Sequence, residues 1–135
     1  MMVRAPFGVI NSDEAIAGLM ARGIRDGHFT TFYWGQNYGG SFEVYILASL
    51  GLIIPEHLAF FFLPALESIF ISFLIFQIAK SRLSREVSFL IAAMYLVFPA
   101  LAVWNNARPM LFYQSTVLFG LTTIWLLDQR FQIKK

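Results

Sequence analysis

Residues 58–79 read LAFFFLPALESIFISFLIFQIA, and this stretch carries a single charged side chain, that of Glu67. A helix of about 20 apolar residues crosses the hydrocarbon core of a bilayer, so the stretch is long enough to span a membrane. Two further apolar stretches, residues 87–104 and 110–127, contain no charged side chain. The sequence therefore predicts an all-α, polytopic membrane protein with three transmembrane helices.

The composition of the 135-residue chain agrees with a membrane location. Charged residues make up 13% of the chain and hydrophobic residues 58%, whereas soluble domains carry about 25% charged residues. The formal net charge is +2, with no basic run interleaved with aromatic residues, so a nucleic-acid partner is not indicated. The chain has no cysteine, which excludes disulfides and thiolate metal sites.

Basic residues between the apolar stretches predict the orientation in the membrane. One cluster of basic residues follows the first apolar stretch, and another follows the third. Cytoplasmic loops are enriched in Lys and Arg, so both clusters are assigned to the cytoplasm. Residues 1–57 then lie on the extracytoplasmic side of the cell membrane. Because the first residues lack the apolar core of a signal peptide, we expect the front part of a larger protein whose first helix is missing, with a genuine short protein as the alternative. The clusters are Lys80, Arg82 and Arg85 after the first stretch, and Arg130, Lys134 and Lys135 after the third.

An amphipathic helix is predicted between Asn11 and Gly27. Asn11 or Ser12 can cap its first turn, and the acidic pair Asp13 and Glu14 suits the positive end of the helix dipole. Gly27 is a typical stop. Joined to membrane spans, such a helix lies flat on the outer leaflet. The predicted apolar stripe consists of Ile16, Leu19, Met20 and Ile24, with Gly23 on the same side.

The next segment, residues 28–41, combines aromatic side chains with turn glycines, which prevent regular structure. It is either an anchor loop at headgroup depth or a surface that meets a sugar ring with aromatic faces and the amides of Gln36 and Asn37. The apolar run that follows, residues 42–54, is too short to span and is predicted to be a short interfacial helix. The aromatic residues are Phe29, Phe32, Tyr33, Trp34 and Tyr38.

Two patterns in these first residues occur together in one family. The Asp13–Glu14 pair opens a surface helix, and an aromatic–glycine run leads into the short interfacial helix. With the following two spans and their basic turn, this arrangement resembles the GT-C membrane glycosyltransferases, specifically the bacterial relatives of the dolichyl-phosphate-mannose protein mannosyltransferases. The resemblance covers nearly all of the chain from Ser12 onward. The run consists of Phe32, Trp34, Gly35, Gln36, Tyr38, Gly40, Ser41 and Glu43.

The resemblance implies transfer of a sugar from a polyprenyl-phosphate donor to an acceptor on the outer face, with inversion at the anomeric carbon. Asp13 matches the general base, and Glu14 would assist it by orienting Asp13 or by binding the acceptor. These two carboxylates could also share a divalent cation, although no firm cofactor is indicated. The implied pocket for the donor sugar and phosphate is formed by Trp34, Gln36, Tyr38 and Glu43, and the implied phosphate ligands are Arg22, Arg25 or Arg108, or helices missing from the chain.

Some features depart from the family pattern. The second outer loop has no acidic residue between Trp104 and Asp128, where many relatives carry one. The pair Gly39–Gly40 stands where aminoarabinose-transferring relatives have a basic residue. Many relatives also have several more spans, so we expect the isolated chain to be inactive. The alternatives are a small non-catalytic membrane protein that binds lipid or docks onto a larger membrane partner, and, with less support, part of a transporter.

Glu67 is a separate feature, because it lies near the middle of the first predicted span. A charge at that depth is costly unless the group is paired or protonated. One interpretation is a protonated side chain that is hydrogen-bonded to Ser68, Ser72 or another helix. The other is a pocket or proton-handling residue.

Overall fold

The computed structural model describes residues 12–36, 39–97 and 113–133. In these ranges the structure is helical, and the strand-like geometry is limited to an isolated antiparallel bridge between Phe32 and Gly40. The prediction of an all-α fold is confirmed for the described part of the chain. Five helices are present there: α1 (Ser12–Arg25), α2 (Phe42–Leu50), α3 (Glu56–Lys80), α4 (Arg85–Val97) and α5 (Tyr113–Ile133).

The chain divides into two compact units, and the division falls within α3, at Pro64. The described part of unit 1 is residues 12–36 and 39–63, and that of unit 2 is residues 64–97 and 113–133. Unit 1 therefore contains α1, α2 and the first residues of α3. Unit 2 contains the rest of α3 together with α4 and α5.

The end of α1 follows from Gly27. This residue has a φ of 90°, and its N–H donates to the carbonyl of Ile24 at 3.1 Å, while the N–H of His28 donates to that of Gly23 at 2.8 Å. The two bonds form a Schellman motif, in which a glycine adopts the left-handed conformation without strain. The predicted stop is confirmed. The alternative cap Asn11 lies outside the described residues.

The buried face of α1 differs from the predicted stripe. The predicted stripe was assigned to the outer leaflet, but Met20 and Ile24 are buried in the core of unit 1, together with Ala17 and Ala21. Leu19, also a member of the predicted stripe, is 56% exposed. The partner helix accounts for the difference, because α1 packs against α2.

The aromatic–glycine segment forms a closed loop in unit 1. The N–H of Gln36 donates to the carbonyl of Tyr33 at 3.1 Å, and Gly35 has a φ of 80°, which is the geometry of a type II turn with glycine at its third position. The N–H of Tyr33 donates to the carbonyl of Gly39 at 2.8 Å. The hydroxyl of Ser41 lies 2.6 Å from the carbonyl of Thr30.

The short helix α2 ends at Leu50, earlier than the predicted limit of residue 54. Turns follow, with the N–H of Gly51 donating to the carbonyl of Leu47 and that of Ile54 to Leu50, both at 2.9 Å. Pro55 then leads into α3. One core joins α1, α2 and the start of α3, and its members include Val44, Leu47, Ala48, Ala59 and Leu63.

Within the described ranges, α3 is the one helix long and apolar enough to cross a membrane. Its bounds, Glu56–Lys80, extend the predicted span of residues 58–79 slightly at both ends. The predicted spans 87–104 and 110–127 each include residues outside the described ranges. Where it is described, α4 starts at Arg85, and α5 continues past residue 127 to Ile133.

Glu67 is buried in unit 2 and accepts a hydrogen bond from the hydroxyl of Ser115 on α5, at 2.8 Å. The predicted bond to another helix is therefore present. Ser68 instead donates to the carbonyl of Pro64, at 2.6 Å, and Ser72 donates to the carbonyl of Ala92 on α4, at 2.9 Å. Each of these polar groups is satisfied within the unit, as buried polar groups require.

Candidate functional site

Tyr33 connects the aromatic–glycine loop to the start of α1. It is only 2% exposed, and its hydroxyl donates a hydrogen bond to the backbone carbonyl of Asp13. The next residue, Trp34, donates its backbone N–H to the sulfur of Met20 at 3.4 Å. Its ring belongs to the core of unit 1, so Tyr33 is not one of the exposed aromatic side chains of the loop, and the headgroup depth of the loop stays a prediction.

The pKa of the Tyr33 phenol is affected by burial and by the nearby charge of Asp13. Burial, and secondly the nearby charge of Asp13, raise the pKa of Tyr33 from 10.0 to about 12. Both causes disfavour a phenolate: burial removes water, and a carboxylate repels a second negative charge. Tyr33 is therefore a neutral donor at physiological pH, held beside Asp13.

The two adjacent carboxylates of α1 have different surroundings. Asp13 is exposed, whereas Glu14 is buried. A general base must come within hydrogen-bonding reach of the proton that it removes, so the accessible member of the pair is Asp13. Among the described residues there is no group of three or more side chains suited to hold a metal ion.

The predicted pocket residues occupy different parts of unit 1. Trp34 is 46% exposed, and Gln36 is half-buried, with an Oε1 atom that has no hydrogen-bond partner among the described residues. Glu43 is buried in the first turn of α2. Tyr38 and Arg108 lie outside the described residues. The structure thus brings Trp34 and the Asp13 turn to the same unit.

Arg22 and Arg25 converge on Glu56, the first residue of α3. Oε2 of Glu56 lies 2.8 Å from Nη2 of Arg22 and 3.8 Å from Nη2 of Arg25, and Nε of Arg22 donates to the same oxygen at 2.9 Å. The hydrogen bond to Glu56, followed by its charge, raises the pKa of Arg22. The two arginines expected to bind phosphate therefore hold a carboxylate of the protein itself.

Glu56 was not among the site residues predicted from the sequence. The available signal was an acidic side chain directly after Pro55, at the start of a long apolar helix, where a negative charge is favoured by the helix dipole. What the sequence does not provide is the contact across 34 positions with Arg22. Protein-family models, curated proteins and solved structures give no match to this chain.

Proposed function

We propose that this chain is part of a membrane glycosyltransferase that transfers a sugar from a polyprenyl-phosphate donor to an acceptor on the outer membrane face. Asp13 is the general base, and Glu14 supports it from its buried position. Trp34, Gln36, Tyr38 and Glu43 contact the donor, and the loop lies at the depth where a lipid-linked sugar presents its reacting carbon.

The observation that supports this proposal most directly is the contact between Tyr33 and Asp13. The acidic pair and the aromatic–glycine run are the two parts of the resemblance, and the hydroxyl of Tyr33 joins them across 20 positions of the chain. A site built from two sequence-distant motifs has to bring them together. The exposure of Asp13 and Trp34 leaves both side chains accessible to a ligand.

The test is sugar transfer in membranes of cells that express the gene from its own locus, which supplies whatever further helices the protein needs. With polyprenyl-phosphate-linked mannose as donor, release of polyprenyl phosphate is measured for wild type, Asp13→Asn and Glu14→Gln. A positioned base contributes roughly 10²–10⁴-fold, so Asp13→Asn should lose at least about a hundredfold in rate with donor binding nearly unchanged. Glu14→Gln should lose less.

Asp26→Asn is the matched control. Asp26 is also an exposed aspartate beside α1, but at the opposite end of that helix, so its substitution should leave the rate unchanged. Near-normal turnover of Asp13→Asn, with the protein correctly inserted, would reduce Asp13 to an acid that stabilises the helix start. The isolated 135-residue chain is expected to be inactive by itself.

A second candidate is a non-catalytic membrane protein that binds lipid. The observation in its favour is the strong exposure of Leu52 and Ile53 in the turn between α2 and α3, because exposed apolar residues next to a membrane-length helix suit the bilayer interface. The same transfer assay separates the candidates. Lipid binding without any Asp13-dependent sugar transfer would favour the second.

A further inference from the structure

The arginine pair of unit 1 is arranged as an occupied anion site. Two guanidinium groups, those of Arg22 and Arg25, face the one carboxylate of Glu56, which leaves one unit of positive charge over the three groups. Nε of Arg22 also donates to Oε1 of Glu56 at 3.2 Å, while Nη2 lies 2.8 Å from Oε2. This is the forked geometry with which arginine binds carboxylates and phosphates alike. Glu56 thus uses N–H donors that are equally suited to a phosphate group.

The carboxylate does not use every donor that the pair offers. Nη1 of Arg25 is buried and has no hydrogen-bond partner among the described residues. A buried donor left without a partner is unfavourable. A phosphate group has three strong acceptor oxygens and up to two negative charges, so it can satisfy more of these N–H groups than the two oxygens of Glu56 can.

The fold makes room for Arg25 at one specific position. A Cβ atom placed on Gly51 would come within 2.2 Å of Nη1 of Arg25. Gly51 has an ordinary helical φ of −65°, so glycine is not needed there for its backbone conformation. Its absent side chain allows the guanidinium to lie against the end of α2 and reach Glu56.

The site is accessible from one side. The side chain of Arg22 is 64% exposed, whereas those of Arg25 and Glu56 are largely covered. An ion pair with one solvent-exposed partner contributes little to stability, so a competing anion can displace Glu56 from Arg22 at little cost. Glu56 begins the apolar helix α3, which in the proposed topology puts it at the outer headgroup level.

From this geometry we propose that Glu56 is an internal competitor, which occupies the Arg22–Arg25 pair until the phosphate of a ligand takes its place. This inference rests on the proposed function for the source of the phosphate, a polyprenyl-phosphate lipid. With Glu56 in place, a weak anion has to compete with this carboxylate for the two arginines. Displacement frees the carboxylate at the start of α3 and couples arrival of the donor to a local rearrangement of unit 1.

The test is calorimetric titration of the purified 135-residue chain in a non-ionic detergent with geranyl phosphate, a short prenyl monophosphate. Glu56→Gln removes the competing charge and should tighten binding by up to about fivefold, the factor that corresponds to an ion pair of about 1 kcal/mol. Arg22→Gln should weaken it. Gly51→Ala, which forces Arg25 away without touching Glu56, should weaken it as well.

The matched control is Glu86→Gln. Glu86 is also a glutamate in the first turn of a helix, α4, but unlike Glu56 it is exposed. Its substitution should leave binding unchanged. Titrations with inorganic phosphate and geraniol show whether the ligand is free phosphate or a lipid phosphate. If Glu56→Gln binds inorganic phosphate more tightly to the same extent as geranyl phosphate, the ligand is free phosphate. If only the binding of geranyl phosphate becomes tighter, the ligand is a lipid. Geraniol should bind all variants alike, since it has no phosphate.

Unchanged or weaker binding of geranyl phosphate by Glu56→Gln, with its helical circular dichroism intact, would overturn the proposal and leave a purely structural ion pair. Weakening by Gly51→Ala is an independent requirement, so tight binding by that variant would also overturn it. Since no sugar is transferred in this experiment, its failure is separate from failure of the transfer assay on Asp13.

Discussion

Ionisation of Tyr33 should destabilise unit 1 at alkaline pH. The pKa of Tyr33 is raised to about 12 in the folded chain, against an ordinary value of 10.0. Because the folded pKa lies above the unfolded one, the stabilisation is fully present below about pH 10 and is lost as the pH rises towards 12. The pKa difference corresponds to about 2.7 kcal/mol, and allowing for solvent screening we expect about 1–2 kcal/mol.

The assay is the free energy of unfolding of the purified chain in detergent, measured at intervals from pH 9 to pH 12 for wild type and Tyr33→Phe. The variant lacks the phenol and should lose less stability over this range, although it is less stable than wild type at pH 9 because the hydrogen bond to Asp13 is missing. That bond contributes about 0.5–1.5 kcal/mol.

Two further variants make this prediction specific. Tyr45→Phe removes another phenol of unit 1, one that contacts Thr30 rather than Asp13, and controls for the loss of a tyrosine as such. Asp13→Asn should lower the pKa of Tyr33, visible as earlier tyrosinate absorbance, because it removes the second cause of the rise. Parallel loss of stability in wild type and Tyr33→Phe between pH 10 and pH 12 would refute the raised pKa of Tyr33, whose first cause is burial.

Three other predictions concern the topology, the aromatic–glycine loop and unit 2. Single cysteines at Thr30 and Ser84 should label from opposite sides of the membrane, and labelling from the same side would contradict the proposed topology. Trp34→Ala should weaken use of the polyprenyl-phosphate donor in the transfer assay while insertion stays normal; unchanged kinetics would make the loop an interfacial anchor only. Ser115→Ala removes the hydrogen bond to Glu67 and should lower the free energy of unfolding in detergent by roughly 0.5–2 kcal/mol. A variant as stable as wild type would show that this bond makes no net contribution.

Features that depend on neighbouring residues could be predicted from the sequence. Gly27 ends α1 because a left-handed residue is needed within one turn of the last helical position, and that need is local. The length of the apolar run at α3 likewise requires no knowledge of its partners. Both predictions agree with the structure.

Features that depend on a distant partner could not be predicted. Hydrophobicity favoured Leu19 for the apolar stripe of α1, but Ala17 and Ala21 are the residues that join Met20 and Ile24 in the core of unit 1. From the sequence, Tyr33 is indistinguishable from the other aromatic residues of the loop. Its hydrogen bond to Asp13, 20 positions away, is known only from the structure. For the candidate site, the sequence indicated Asp13 and the two arginines. It did not indicate that the carboxylate of Glu56 forms ion pairs with both arginines.

The bond between Ser115 and Glu67 has a consequence for how the chain is made. The two residues are separated by 48 positions, so Glu67 leaves the ribosome 48 residues before its partner does. At about 5–20 residues per second, the delay is on the order of 2–10 s. In the proposed topology α3 enters the bilayer during this interval with a carboxyl group near its centre, which costs roughly 2.5–3.5 kcal/mol on insertion scales. Nascent chains that stop before Ser115 should therefore insert less completely than longer ones, and Glu67→Leu should remove that difference.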